Sequence, residues 1–137
     1  MNRFLLDTGP DQQFINDTAG VREIADREQL RGARIGICMP VLGELWSGIE
    51  GSDTREANLK RLKRGVSQLL LWPFDEKAAA EFGRLFTLLK RTGRPMQQVD
   101  IQIAAVALTL GNCTVVTTDS DLAAVPGLTV ENWAEAK

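Results

Sequence analysis

Five short apolar runs alternate with helical periods along this chain, and that alternation restricts its fold more than any other feature. "RFLLD" (3–7), "RIGICM" (34–39), "QLLLWPF" (68–74), "TVVTT" (114–118) and "LTV" (128–130) each read as a strand. Between them, Leu59, Leu62, Val66 and Leu69 mark one helical stripe, with Asp53 and Glu56 spaced as a capping box before it. Ala78, Phe82, Leu85, Phe86 and Leu89 mark another, opened by Asp75 and closed at Gly93. "PVLGELWSGIE" carries Pro40 where a first helical turn tolerates it, and "QVDIQIAAVALTLGN" stops at Gly111. The strands are apolar on both faces, which requires helices on both sides of a mostly parallel sheet. One domain over residues 1–137 is predicted: a three-layer α/β/α sandwich with about five short strands.

Composition narrows the chemistry. No apolar run approaches the roughly 18–20 residues of a membrane span, and "FLL" is too short for a signal-peptide core. A cytoplasmic protein with no membrane association is expected. The chain holds no histidine, which excludes imidazole triads and the usual histidine-containing zinc sites. Cys38 and Cys113 stand far apart beside apolar strands and read as buried thiols rather than a disulfide or metal pair. Catalysis, if present, falls to carboxylates, hydroxyls and bound ions.

The acids are placed suggestively. In an open parallel sheet, ligands gather at the carboxyl ends of the strands. Asp7 ends the first strand, and Asp119 and Asp121 follow the fourth. Glu44 lies one turn into its helix, between Leu42, Leu45 and Trp46; Asp100 opens a helix apolar nearly all round and therefore buried. Isolated carboxylates in such settings are costly, and like charges brought together worsen the cost. Apart from Arg3, no basic residue stands near them in sequence. A hard divalent cation, Mg²⁺ or Mn²⁺, would resolve the conflict. Each acid also has a simpler reading: Asp7 and Asp119 as helix caps, Glu44 as a solvated helix acid, Asp100 as a helix-start acid favoured by the dipole.

Order and placement together set these acids apart from single caps. "FLLDTGP", "PVLGELWSGI", "VDIQIAAVAL" and "VVTTDSDL", with "VPGLTVENW" near the end, resemble the successive motifs of PIN-domain ribonucleases, and within them the VapC-like toxins of toxin–antitoxin pairs. The resemblance spans about Phe4 to Trp133. It implies a PIN-like fold and assigns Asp7, Glu44, Asp100 and Asp119 as catalytic, metal-binding acids. Asp121 matches a further ligand of the last motif, and Thr117 its supporting threonine. It implies bacterial Mg²⁺-dependent cleavage of single-stranded or looped RNA, leaving a 5′-phosphate and a 3′-hydroxyl. It also implies a small cognate antitoxin and a homodimer. Two departures stand out: Gly9 where family members often carry asparagine, and Leu122 where phenylalanine is usual.

Other aspartate-bearing folds fit poorly. A response-regulator receiver needs paired acids at its first strand and a lysine after a late one; a dehalogenase-type phosphatase needs D-x-D where this chain has Asp7-Thr8-Gly9. The remaining rival is a catalytically idle module that binds RNA or protein. Arg55, Lys60, Arg61, Lys63 and Arg64 form a basic helix face, read either as solvated or as an RNA surface. Lys90, Arg91 and Arg94 form a second cluster at a helix end. Leu45, Trp46 and Ile49 are candidates for either core or partner surface.

Overall fold

The computed structural model describes residues 2–134, so the outermost ends of the predicted domain lie outside the described residues. Among the described residues, five strands form one sheet: β1 (Arg3–Leu6), β2 (Arg34–Cys38), β3 (Leu70–Trp72), β4 (Cys113–Val116) and β5 (Thr129–Glu131). Every pairing is parallel, in the order β3-β2-β1-β4-β5. Seven helices accompany them in the same span: α1 (Pro10–Asn16), α2 (Val21–Leu30), α3 (Met39–Glu50), α4 (Arg55–Val66), α5 (Glu76–Arg91), α6 (Gln98–Leu110) and α7 (Ser120–Ala123). The architecture is the predicted three-layer α/β/α sandwich, and all five strand readings fall on observed strands.

The strand order explains where a site can form. The chain leaves β1 toward β2 and β3, then returns to the other side of β1 for β4 and β5. The connections therefore diverge between β1 and β4, and a crevice opens at the carboxyl ends of those two strands. Register sharpens the point: Leu6 pairs with Val116, so Asp7 and Thr117 are the next residues across.

Local chemistry accounts for most boundaries. Asp75 caps α5 by accepting from Ala78 N at 3.0 Å, and Gly111 ends α6 at φ +75°. The predicted Asp53/Glu56 box does not form. Thr54 takes the cap position, and Ser52 and Asn58 tie that turn together instead, at 2.7 Å. One helix has no stripe to announce it: α2 buries only Val21 and Ala25 among ten residues, half of them charged. Within α6, Ile101 and the run from Ile103 to Ala107 are buried, as its apolar composition requires. On α3, Leu45 and Ile49 belong to the core, whereas Trp46 is 36% exposed. Cys38 and Cys113 are free thiols, each pushed up to about 12 by burial and so chemically quiet. No helix among the described residues is long and apolar enough to cross a membrane.

Candidate active site

Asp7 is the innermost acid. It leaves β1 with its backbone N–H donating to Val116 O at 2.9 Å, so its position is set by the sheet itself. Its carboxylate is only 5% exposed. Oδ1 accepts from Thr8 N at 2.7 Å and Oδ2 from the Thr117 hydroxyl at 2.8 Å. Burial raises its pKa above the ordinary carboxylate range. The Thr117 and Thr8 hydrogen bonds oppose that rise, while the charges of Glu44 and Asp119 add to it. The cap reading of Asp7 fails, because Gly9 is the N-cap of α1 and makes no side-chain cap.

The other acids close around it. Glu44, half-buried on α3, accepts from the Thr8 hydroxyl, which couples the turn after β1 to the third helix. Asp100, half-buried in the first turn of α6, is pushed up to about 6 by burial and then by Asp7, Asp119, Glu44 and Asp121. Asp119 caps α7 by accepting from Asp121 N at 2.9 Å, so the cap reading is correct for this residue. Asp119 also lines the cavity. Its own N–H donates to the Thr117 hydroxyl at 2.9 Å. Thr117 thus bridges the Asp7 carboxylate and the β4–α7 loop.

Asp7, Glu44, Asp100, Asp119 and Asp121, with Thr8, line one open cavity of about 250 Å³. Four of these acids come from segments far apart in sequence: the β1 end, α3, α6 and the β4–α7 loop. Asp121 is the outermost. It meets Arg94 at 3.4 Å, with both groups half exposed. Proximity in sequence does not select this cation, which stands 27 positions from Asp121. Arg3 sits at the amino end of β1, donating to Gly111 O at 2.8 Å, and Arg94 from the α5–α6 loop is the cation at the rim.

Sequence reasoning missed Asp11. This carboxyl has no solvent exposure. Oδ1 accepts from Gly9 N at 3.0 Å and from Gln12 N at 2.6 Å, so it pins the turn that carries Thr8. Oδ2 has no hydrogen-bond partner among the described residues. Burial, opposed by those two backbone bonds and reinforced by Asp7 and Glu44, pushes Asp11 up to about 7. The signal available in sequence is an acid directly after Pro10, where a short helix turns inward. Gly9 itself sits at φ +109°, a backbone conformation that side-chain-bearing residues rarely adopt.

Among the described residues, no group of three or more Asp, Glu or Cys side chains is arranged to clasp a metal ion directly. Both Asp7 oxygens, one of Glu44 and one of Asp119 accept hydrogen bonds from the protein. The donor set nevertheless suits a hard cation that keeps part of its water shell. All donors are oxygens, the cavity is polar, and burial, reinforced by mutual repulsion, already raises Asp7 and Asp100.

A parallel sheet with an acid-lined cleft at its switch point is the architecture of the PIN domain, whose family model matches residues 13–128; the chain belongs to that family. Within it, the chain is similar to VapC proteins. It is 33% identical over 135 residues to the tRNA(fMet)-specific endonuclease VapC of Shigella flexneri, covering 98% of this chain and 100% of the relative. The VapC of Salmonella typhimurium, with the same description, is 30% identical, over 97% of this chain and 99% of its own length. Among solved structures, the VapBC2 complex of Rickettsia felis bound to promoter DNA contains a chain that matches with TM-score 0.87 and 28% identity, over 96% of this chain and 98% of that one. The DNA-bound VapBC complex of Salmonella typhimurium gives TM-score 0.87 and 30% identity, covering 97% of this chain and 99% of that one.

Proposed function

We propose that the chain is a Mg²⁺- or Mn²⁺-dependent endoribonuclease of single-stranded or looped RNA, acting in the cytoplasm as the toxin of a VapBC-type pair. The observation that carries this reading is the convergence of Asp7, Glu44, Asp100 and Asp119 on one cavity from four separate segments. The names of the relatives supply the substrate class: two are tRNA(fMet)-specific endonucleases, so tRNA is the first RNA to test. The VapBC complexes point to a small antitoxin as regulator. A homodimer is the expected assembly.

Asp7 and Asp100 are the residues that would hold the ion, with Glu44, Asp119 and Asp121 reaching it through water. The bound ion supplies Lewis-acid stabilisation of the phosphate and a more acidic water. The chain's own residues do the rest. Thr117 and Thr8 N fix the Asp7 carboxylate so that it does not rotate when charge moves nearby. Thr8 holds Glu44 by Oε1, leaving Oε2 to orient an attacking water. Asp119, fixed by the Asp121 amide, presents its remaining oxygen to the cavity. Arg94 at the rim offers a positive charge to an approaching phosphate once Asp121 turns toward the cavity.

The test is RNA cleavage by purified protein, with fragment ends sequenced, wild type beside Asp100→Asn and Asp7→Asn. The expected result is 5′-phosphate and 3′-hydroxyl ends that require Mg²⁺ and fall at least about 100-fold in either variant. Full activity in a folded Asp100→Asn protein overturns the assignment. Absence of turnover with any RNA, together with weak Mn²⁺ binding, selects the idle binding module instead.

A further inference from the structure

Four cations on α4 take no part in the acid cavity. Lys60, Arg61, Lys63 and Arg64 are exposed, and among the described residues none of them forms an ion pair. Arg55, at the start of the same helix, is by contrast held by Glu50 at 2.8 Å. The helical period puts Lys60, Lys63 and Arg64 away from the buried Leu62 and Gly65, while Arg61 lies at the edge of that buried face. Like charges one turn apart repel, and the only acid on α4 is Glu56, one turn before Lys60. A chain of net charge −2 with an acid-lined cavity is repelled by a polyanion overall, which makes one concentrated cationic face the natural point of approach.

The position of α4 connects this face to the site. α4 lies hard against α1: a Cβ on Gly65 would stand 2.5 Å from Ile15 Cγ1. A groove of about 240 Å³ runs between α1, α3 and α4, with Gln12, Leu45 and Arg61 on its three walls. Gln12 follows Asp11 in the first turn of α1, and Leu45 follows Glu44 on α3. Arg61 therefore shares a groove with α3, the helix that also carries Glu44 into the acid cavity.

We propose that the outer face of α4, with Arg61 at its inner edge and Lys60 and Arg64 beside it, is the track for the phosphates of a single RNA strand whose scissile phosphate lies in the acid cavity. The inference rests on the endoribonuclease reading and adds the surface that reading lacks. The face offers ammonium and guanidinium groups and α4 carries no aromatic ring to stack a base, which suits a sequence-tolerant backbone contact.

The experiment measures binding of a short fluorescein-labelled single-stranded RNA to the full chain, with EDTA present to prevent cleavage, from about 50 to about 200 mM KCl. The triple variant Lys60→Ala/Arg61→Ala/Arg64→Ala is compared with wild type, with circular dichroism and melting temperature as the folding check and Arg61→Ala alone as the milder variant. The expected result is at least a tenfold weaker Kd and a salt slope flatter by about 0.7 for each phosphate no longer neutralised. In cleavage assays KM should rise while kcat at saturating RNA holds, and Arg61→Lys should restore most of the slope. An unchanged Kd and slope overturn the proposal. So does a triple variant that binds RNA normally but no longer binds its antitoxin, which would make α4 a protein-docking face. A wild type that binds RNA with a steep slope but never cuts it defeats the nuclease reading and leaves the α4 track standing.

Discussion

Thr117 and Asp7, 110 positions apart in the chain, are joined by a 2.8 Å hydrogen bond between adjacent central strands. The same hydroxyl accepts from Asp119 N, so one threonine sets the innermost acid and the loop bearing the outer ones. Its backbone N–H donates to Glu131 O at 2.9 Å, which anchors it to β5. A residue with three such ties, two of them through its hydroxyl, is a sensitive place to perturb the site without removing any acid.

Thr117→Val keeps the shape and removes both hydroxyl bonds. The expected cost is about 1–3 kcal/mol, because buried partners lose their hydrogen bonds. Without its donor the Asp7 carboxyl rises further above its ordinary range, so the acid limb of the pH–rate profile should move to higher pH. Thr117→Ser should restore both properties. A Val variant with unchanged urea midpoint and unchanged profile would show that the bridge is incidental.

Metal-free protein should lose stability as pH rises. Asp11 and Asp100 titrate near 7 and 6 in the folded chain, both above the 3.8 of an ordinary aspartate. Between those values the folded state holds protons that the unfolded state has released. Unfolding free energy therefore falls from about pH 4 to about pH 7. Urea melts in EDTA should give a higher midpoint at pH 5 than at pH 7.5, and saturating Mg²⁺ should narrow the difference. The opposite order would contradict the burial of these groups as described.

Asp11 separates charge from hydrogen bonding. Asp11→Asn keeps an oxygen for Gly9 N and Gln12 N and removes the ionisation, so it should match or exceed wild-type stability above pH 7. Asp11→Leu discards both acceptors and should cost on the order of 1–3 kcal/mol. Cleavage should fall with it, since the turn it pins carries Thr8 and through it Glu44. Equal melting temperatures for the Asn and Leu variants at pH 8 would refute this division.

Gly65→Ala should destabilise the domain by about 1–3 kcal/mol, because the new methyl must displace Ile15 where α1 and α4 meet. Pairing it with Ile15→Ala should recover part of the loss, so the two changes together cost less than their sum. Strict additivity in denaturant melts would mean the contact is slack.

Much of the fold and of the acid cleft is legible in the sequence, for reasons that differ by residue. β1 and β4 are short apolar runs ending in polar residues, and parallel pairing brings such ends to one edge; hence Asp7 and Asp119 fall together. Asp100 is legible because α6 is apolar almost throughout, which leaves its acid nowhere to go but a buried edge. Asp11 is not: a single acid after a proline looks like a solvated first-turn residue, and only the inward course of α1 buries it. The Arg94–Asp121 contact depends on how the α5–α6 loop folds back, which no periodicity encodes. α2 escapes because two buried side chains in ten do not make a stripe.

The central place of β1 in the sheet has a consequence for biosynthesis. Asp7 leaves the ribosome 110 positions ahead of the threonine that fixes it, and ahead of the strand that comes to flank it. Until then its carboxylate has no cleft around it. A nascent chain that stops short of β4 cannot assemble the acids, so the cleft is completed only once the late strands have been made.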